Sequence, residues 1–183
     1  MSRLWMLVAI ALLFVANGIA ADTWGSPVAG VRIGISIING PHPEVRVAGQ
    51  NVSDTPILLL LGALIGARFH DLAFQIVLTT ADGKDRRVID TGGPAGVGGR
   101  LDPLVVPLVP NAIYSVALPI DKLFVLDGSE KLERFLIRQP CQLRVELDIQ
   151  KPQCPPYSFP IRNPNMIPCW QGKVVSNIVR VPN

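Results

Sequence analysis

The chain has 183 residues, of which 49% are apolar and 17% are charged, and its formal net charge is +3 at pH 7. It contains 16 glycines and 17 prolines, an excess that excludes a helical bundle or coiled coil and favours short strands joined by turns. A net charge this small also argues against a nucleic-acid partner.

Residues 1–21 have the features of a secretory signal peptide. Arg3 is their only charge, the run 4–16 is apolar and uncharged, and small residues follow it. Such a segment is removed during export, here with cleavage expected after Ala20 or Ala21. The alternative is an uncleaved membrane anchor, but a span needs roughly 20 apolar residues and this run is shorter. We therefore expect an exported protein, periplasmic or extracellular, without a membrane span after cleavage.

Alternation of apolar and polar residues, which is typical of half-buried strands, recurs throughout the segment 22–183. Asp82-Gly83 predicts a hairpin turn, and only residues 129–137 have a helical pattern. In chain order, the predicted strands lie at 31–37, 45–47, 72–78, 86–90, 114–120, 142–150 and 173–181.

The spacing of the turn signals predicts the fold class. About seven to nine antiparallel strands in two sheets would bury their alternating faces against each other, as in an all-β sandwich. Pro107 and Pro119 predict edge strands or strand ends. The apolar run 57–67 is too short to span a bilayer. We expect residues 22–183 to form a single β-sandwich domain.

The exported segment contains three cysteines, which allow one disulfide and leave one thiol over. If strands 142–150 and 173–181 pair antiparallel, the ends of the proline-rich connection between them meet. Cys154 and Cys169 lie near those two ends, so we predict that they pair. Such a bond closes a loop of about 16 residues, worth roughly 3 kcal/mol in the chain-entropy model. Cys141 begins the earlier strand at the far end and is predicted to be a buried free thiol.

Several short phrases occur together in one order along the chain. They are Trp24-Gly25-x-Pro27-Val28-x-Gly30, Asn51-x-Ser53, Leu59-x-Leu61-Gly62, Asp82-Gly83-Lys84, the run 99–108, Ala112-x-Tyr114 and Trp170-x-Gly172-x-x-x-Ser176-Asn177. In this order they resemble an immunoglobulin-like β-sandwich domain of exported bacterial proteins of unassigned function. The resemblance implies a sandwich fold and export, and it implies no activity.

Residue types that carry catalysis or hold metals are few and scattered. The glycine cluster within 91–100 lacks the Gly-Lys-Ser/Thr of a phosphate-binding loop. No nucleophile motif accompanies His42 or His70, the two histidines, and Cys141 is more readily explained as a core residue than as a nucleophile. The Asn-Val-Ser triplet at 51–53 matches a glycosylation acceptor, but we expect it to shape a turn. We expect no enzyme activity, no cofactor and no metal.

These expectations describe an exported, non-catalytic module that binds a protein or another component of the cell envelope. We expect contacts through the glycine-rich loop 91–103 and the proline-rich loop 151–170, with these candidate interaction residues: Arg100, Tyr157, Phe159 and Trp170. One alternative is a secreted protease inhibitor, which the rigidity of the second loop would suit. Another is a carbohydrate-binding module, which would need aromatic rings aligned on an exposed face, although at least one of Trp24 and Trp170 is expected in the core.

Overall fold

A computed structural model describes residues 22–65, 68–90, 101–126, 130–150 and 167–181. These ranges contain fourteen strands, one α-helix and one 3-10 turn. The strands are β1 (Thr23–Trp24), β2 (Val31–Ile38), β3 (Glu44–Asn51), β4 (Ile57–Ile65), β5 (Arg68–Leu72), β6 (Phe74–Thr80), β7 (Asp85–Asp90), β8 (Leu101–Leu108), β9 (Ile113–Pro119), β10 (Leu123–Val125), β11 (Glu130–Lys131), β12 (Cys141–Ile149), β13 (Gly172–Val175) and β14 (Val179–Val181). The helix α1 is Leu132–Arg138, and the 3-10 turn is Ile120–Lys122.

The first sheet has the strand order β1-β2-β3-β9, and all its neighbours are antiparallel. β2 and β3 form a hairpin, whereas β9 reaches the other side of β3 from far along the chain. The alternating pattern of β2 places Val31, Ile33 and Ile35 on the inner face, where each is at most 1% exposed. The sequence pattern and the buried face therefore agree.

The second sheet has the order β11-β10-β7-β6-β12-β13, with β14 also paired to β12. β6 and β7 form the hairpin that Asp82-Gly83 predicts, and Gly83 has a φ of +77°, which glycine adopts readily. Along β12 every second residue is buried, and Leu143, Val145 and Leu147 have no exposed surface.

The predicted strand 173–181 is divided into two strands. β13 and β14 both pair antiparallel with β12, which confirms the predicted pairing, but their registers differ by one residue. In the gap, the Ser176 N–H donates to the Val145 carbonyl (2.9 Å), and the Ser176 hydroxyl accepts the Val145 N–H (2.9 Å). The serine side chain thus replaces a backbone acceptor where the ladder is interrupted.

A third sheet, of order β5-β4-β8, was not expected from the sequence. Leu59, Leu60 and Leu61 of β4 are consecutive and all at most 7% exposed, so this strand is buried on both faces and shows no alternation. The expectation of two sheets with seven to nine strands was therefore too low, since the described ranges contain three sheets and fourteen strands.

The buried faces of the sheets form one core. β2 packs against β12, β13 and β14, which brings the first and second sheets face to face. β4 packs onto β3 at Gly49, where an added Cβ would come within 2.8 Å of the Leu59 side chain. The helix α1 buries Leu132, Phe135 and Leu136, the side that its pattern predicts. The chain is mostly β-structure in several antiparallel sheets, as expected of an all-β sandwich.

Candidate functional site

β9 forms one edge of the first sheet, because β3 is its only strand partner within the described ranges. In an antiparallel strand, successive residues direct their backbone groups to opposite sides. Two hydrogen bonds identify the side that faces β3. The Asn51 N–H donates to the Ala112 carbonyl (3.1 Å), and the Ile120 N–H donates to the Pro43 carbonyl (2.9 Å). The even-numbered residues of β9 therefore bond to β3.

The odd-numbered residues Ile113, Ser115 and Ala117 consequently direct their N–H and C=O groups away from the sheet. Their side chains are exposed on the outer face, whereas Val116 and Leu118 point inward and are 5% and 3% exposed. A row of outward N–H and C=O groups is the surface to which an additional strand can hydrogen-bond.

This edge lacks the features with which native proteins usually discourage strand pairing. Charged side chains, bulges and prolines are the common protections. The run 103–120 contains no charged residue, and β9 pairs with β3 without a register shift. Proline enters only at Pro119, whose nitrogen is the next outward group and cannot donate. The stretch open to pairing is therefore 113–117.

The edge formed by β8 is different. Pro107 lies opposite Leu58 of β4, and Leu58 directs its backbone to the other side: its N–H donates to Pro168 and its carbonyl accepts from Trp170, both at 2.9 Å. The pair of Leu58 and Pro107 is therefore one without hydrogen bonds, and the Pro107 nitrogen faces outward. An incoming strand would meet no donor there.

Asn51 organises the turn beside the start of β9. Its side chain is fully buried, and its amide nitrogen donates to the carbonyls of Thr55 (2.8 Å) and Leu108 (3.0 Å). Its side-chain oxygen accepts both the N–H (2.9 Å) and the hydroxyl (2.6 Å) of Ser53. The predicted turn-forming role of this triplet is confirmed.

Exposed apolar side chains surround the Asn51 turn. The Val52 N–H donates to the Gly30 carbonyl (2.7 Å), which joins the two loops there. We call the following group the apolar end: Val28, Val52, Val109 and Ile113, which are 38%, 37%, 61% and 55% exposed. The apolar end thus reaches the start of β9 at Ile113.

Trp24 and Trp170 are packed to different degrees. Trp170 is 5% exposed, and its indole N–H donates to the Val28 carbonyl (3.1 Å), so its ring belongs to the core. Trp24 is half-buried against Gly34, and the Arg32 guanidinium lies 4.8 Å from its ring centroid. The expectation that at least one tryptophan packs in the core is confirmed.

Most of the predicted interaction residues fall outside the described part of the chain. Residues 91–100 and 151–166 are outside it, and the protease-inhibitor alternative depends on the second of these segments. Cys169 is not a free thiol, but its pairing with Cys154 stays a prediction. The predicted residues that lie outside are Arg100, Cys154, Tyr157 and Phe159.

Cys141 is a free, buried thiol, as predicted. It lies in a groove of about 900 Å³ at one end of the second sheet, and it is 4% exposed. Burial raises the pKa of the Cys141 thiol, so the protonated and poorly nucleophilic form prevails near neutral pH. The groove residues beside it include Thr79, Thr80, Pro140, Gln142, Arg180 and Val181.

The outer face of the second sheet carries an ion-pair network. The Arg144 guanidinium contacts a carboxylate oxygen of Asp85 at 2.7 Å and one of Glu146 at 3.1 Å. Hydrogen bonds from Arg144 and from the Thr79 hydroxyl lower the pKa of Asp85 to about 2. These groups satisfy one another, so the network stabilises a solvated sheet face.

Comparisons with known proteins give no relatives for this fold. No protein family model matches the chain, and neither a curated protein nor a solved structure is detectably similar to it. Among the described residues, no three His, Cys, Asp or Glu side chains lie close enough together to hold a metal ion. No helix within those residues has the length and apolarity to cross a membrane.

Proposed function

We propose that this protein is an exported, non-catalytic binding module that takes an extended segment of another polypeptide onto the open edge of β9. The observation that carries the proposal is the row of outward N–H and C=O groups at Ile113, Ser115 and Ala117. Strand addition of this kind derives affinity from main-chain hydrogen bonds and selectivity from the side chains beside them.

An immunoglobulin-like assignment of the strands supports the proposal. β2, β3 and β9 would correspond to strands A, B and E of such a domain, and β6, β12 and β13 to strands C, F and G. β8 occupies the chain position of strand D, which normally pairs with E. Here β8 pairs with β4 instead. The open side of β9 is therefore the place that strand D would fill.

The neighbouring surface indicates what kind of segment would bind. An edge without charged residues gives no advantage to a charged segment, and the apolar end supplies a place for apolar side chains. We expect the preferred segment to be extended, uncharged and rich in β-branched or aromatic residues, which suit strand conformation.

Selection of short random peptides on the exported segment, residues 22–183, tests the proposal without requiring an identified partner. Ser115→Pro removes an outward N–H that β3 does not use, so the sheet is retained while an incoming strand loses its bond. Ser115→Thr is the matched control, because it keeps the N–H and suits a strand.

We expect selected peptides to bind the parent and Ser115→Thr alike and to bind Ser115→Pro at least tenfold more weakly. Circular dichroism and thermal unfolding of each variant would show that the fold is intact. Peptides that bind Ser115→Pro as tightly as the parent protein would contradict strand addition at β9.

A further inference from the structure

We infer that the segment received by β9 is the β9 strand of a second copy of this chain, which would make the protein a symmetric dimer. The inference rests on the proposed function and names its partner. It follows from the spacing of the outward backbone groups, from the absence of charge along the edge, and from the two residues that end the strand.

The spacing makes the edge complementary to itself. In an antiparallel pair centred on Ser115, the Ser115 residues of the two copies face each other, and Ile113 faces Ala117 of the second copy. All of these residues have outward backbone groups. These facing pairs are therefore of the hydrogen-bonded type, and the outward N–H groups of Ile113, Ser115 and Ala117 each find a carbonyl.

The charge distribution favours a second copy as well. Like charges directly opposite each other destabilise a strand pair. When a strand pairs with a second copy of itself, both partners carry charges of the same sign at the same positions. The run 103–120 has none to bring. On the adjoining strand, Arg46 is already paired with Asp22 at 2.9 Å, so it places no unpaired cation near the dimer axis.

The ends of the strand limit the pairing to a short segment. Asn111 has a left-handed φ of +65° before β9 begins, and Pro119 removes the donor at the other end. Interfaces below about 1,000 Å² belong to weak, reversible associations, and a pairing this short falls in that class. We therefore expect a dimer that dissociates on dilution.

Cysteine cross-linking tests the register directly. Facing residues of a hydrogen-bonded pair have Cα atoms about 5.5 Å apart, which lies within the range of a disulfide. Under mild oxidation, Ser115→Cys should cross-link to itself. Ala117→Cys alone should not, because the two copies of that residue would lie about 13 Å apart along the strands. Mixing Ala117→Cys with Ile113→Cys should restore the cross-link.

Sedimentation across a wide concentration range supplies the second measurement. The parent protein, whose Cys141 is buried, should approach twice the monomer mass at high concentration without oxidation. Ser115→Pro should remain a monomer at that concentration. Ala117→Lys should also remain a monomer, and it replaces Ser115→Pro in this test if the proline disturbs the fold.

A monomeric parent protein, or equal self-cross-linking of Ser115→Cys and Ala117→Cys, would overturn the inference. Peptides whose binding depends on Ser115 would then still support strand addition, so the two failures can be told apart. Absence of both the dimer and Ser115-dependent peptide binding would remove both proposals.

Discussion

Gly25 is a position where one added methyl group should damage this fold severely. An added Cβ would lie 1.8 Å from the carbonyl oxygen of Val175 and 2.8 Å from its carbonyl carbon. Ordinary C···O contacts are about 3.3 Å or more, so the N-terminal segment and β13 would have to separate by about 1.5 Å. Both sides of the contact are backbone, and no side-chain rotation can relieve it.

The magnitude follows from the cost of overpacking. Inserted methyl groups in packed regions cost about 1–3 kcal/mol, and Gly25→Ala should reach the upper end of that range because the clash is with backbone. For a domain of about this size, 1 kcal/mol moves the melting temperature by roughly 2–4 °C. We expect Gly25→Ala to melt about 6–12 °C below the parent protein in a calorimetric or circular dichroism scan.

Two other glycines provide graded controls. At Gly49 the added Cβ would meet only the end of the Leu59 side chain at 2.8 Å, which can shift, so we expect a loss of about 1 kcal/mol. At Gly40 nothing lies within 4 Å and φ is not left-handed, so alanine should be neutral or stabilise by about 0.4–1 kcal/mol. The reasoning would be refuted if Gly25→Ala melted within 2 °C of Gly40→Ala.

Three further predictions concern the polar core, the surface charges and the cysteines. Asn51→Ala should lower the free energy of unfolding by about 2–3 kcal/mol in urea titration, because the buried Leu108 carbonyl and the partly buried Thr55 carbonyl lose their donor; a loss below 1 kcal/mol would contradict this. Asp85 has its pKa lowered from 3.8 to about 2 in the fold, so its contribution is present above pH 3.8 and is lost as the pH falls towards 2. Asp85→Asn should therefore show a flatter dependence of melting temperature on pH in that window, and an unchanged slope would argue against the ion pair. Cys141 should react with a thiol reagent only on unfolding, and peptide mapping without reduction should join Cys154 to Cys169 rather than to Cys141.

Local patterns predicted the elements whose two faces have different surroundings. β12 alternates because one face is buried against β2 while Arg144 and Glu146 lie on the other. The pattern in 129–137 likewise predicted the helix α1, whose apolar side packs into the core. Pro107 and Pro119 predicted edge strands, and β8 and β9 are edges of their sheets within the described ranges.

Elements with uniform or interrupted surroundings were not predicted correctly. β4 shows no alternation of apolar and polar residues, because Leu59, Leu60 and Leu61 are all buried. Its sequence therefore lacks the two-residue period from which a strand is predicted. The break between β13 and β14 depends on Ser176 bonding to Val145 of another strand. Such a contact is non-local, and nothing in the neighbouring residues signals it.

The open edge of β9 could be predicted only in part. The strand itself follows from the alternation in 114–120, and the uncharged run 103–120 is visible in the sequence. Which side of β9 is unpaired depends on β3 and β8, which are chosen by the tertiary fold. The glycine and proline content predicted contacts through the loops 91–103 and 151–170. The proposed site instead lies in β9, a regular strand between these two loops in the chain.

The third sheet gives a physical reason why this edge stays open. β4 needs hydrogen-bond partners for its backbone, and β8 supplies them along its length, from Leu108 opposite Ile57 to Leu101 opposite Ile65. A strand hydrogen-bonded to β4 in this way is not available to β9. Pro107 then protects the outer side of β8, whereas no proline occurs between Ile113 and Ala117. The same chain thus protects one edge with a proline and leaves another whose outward donors and acceptors no described strand pairs.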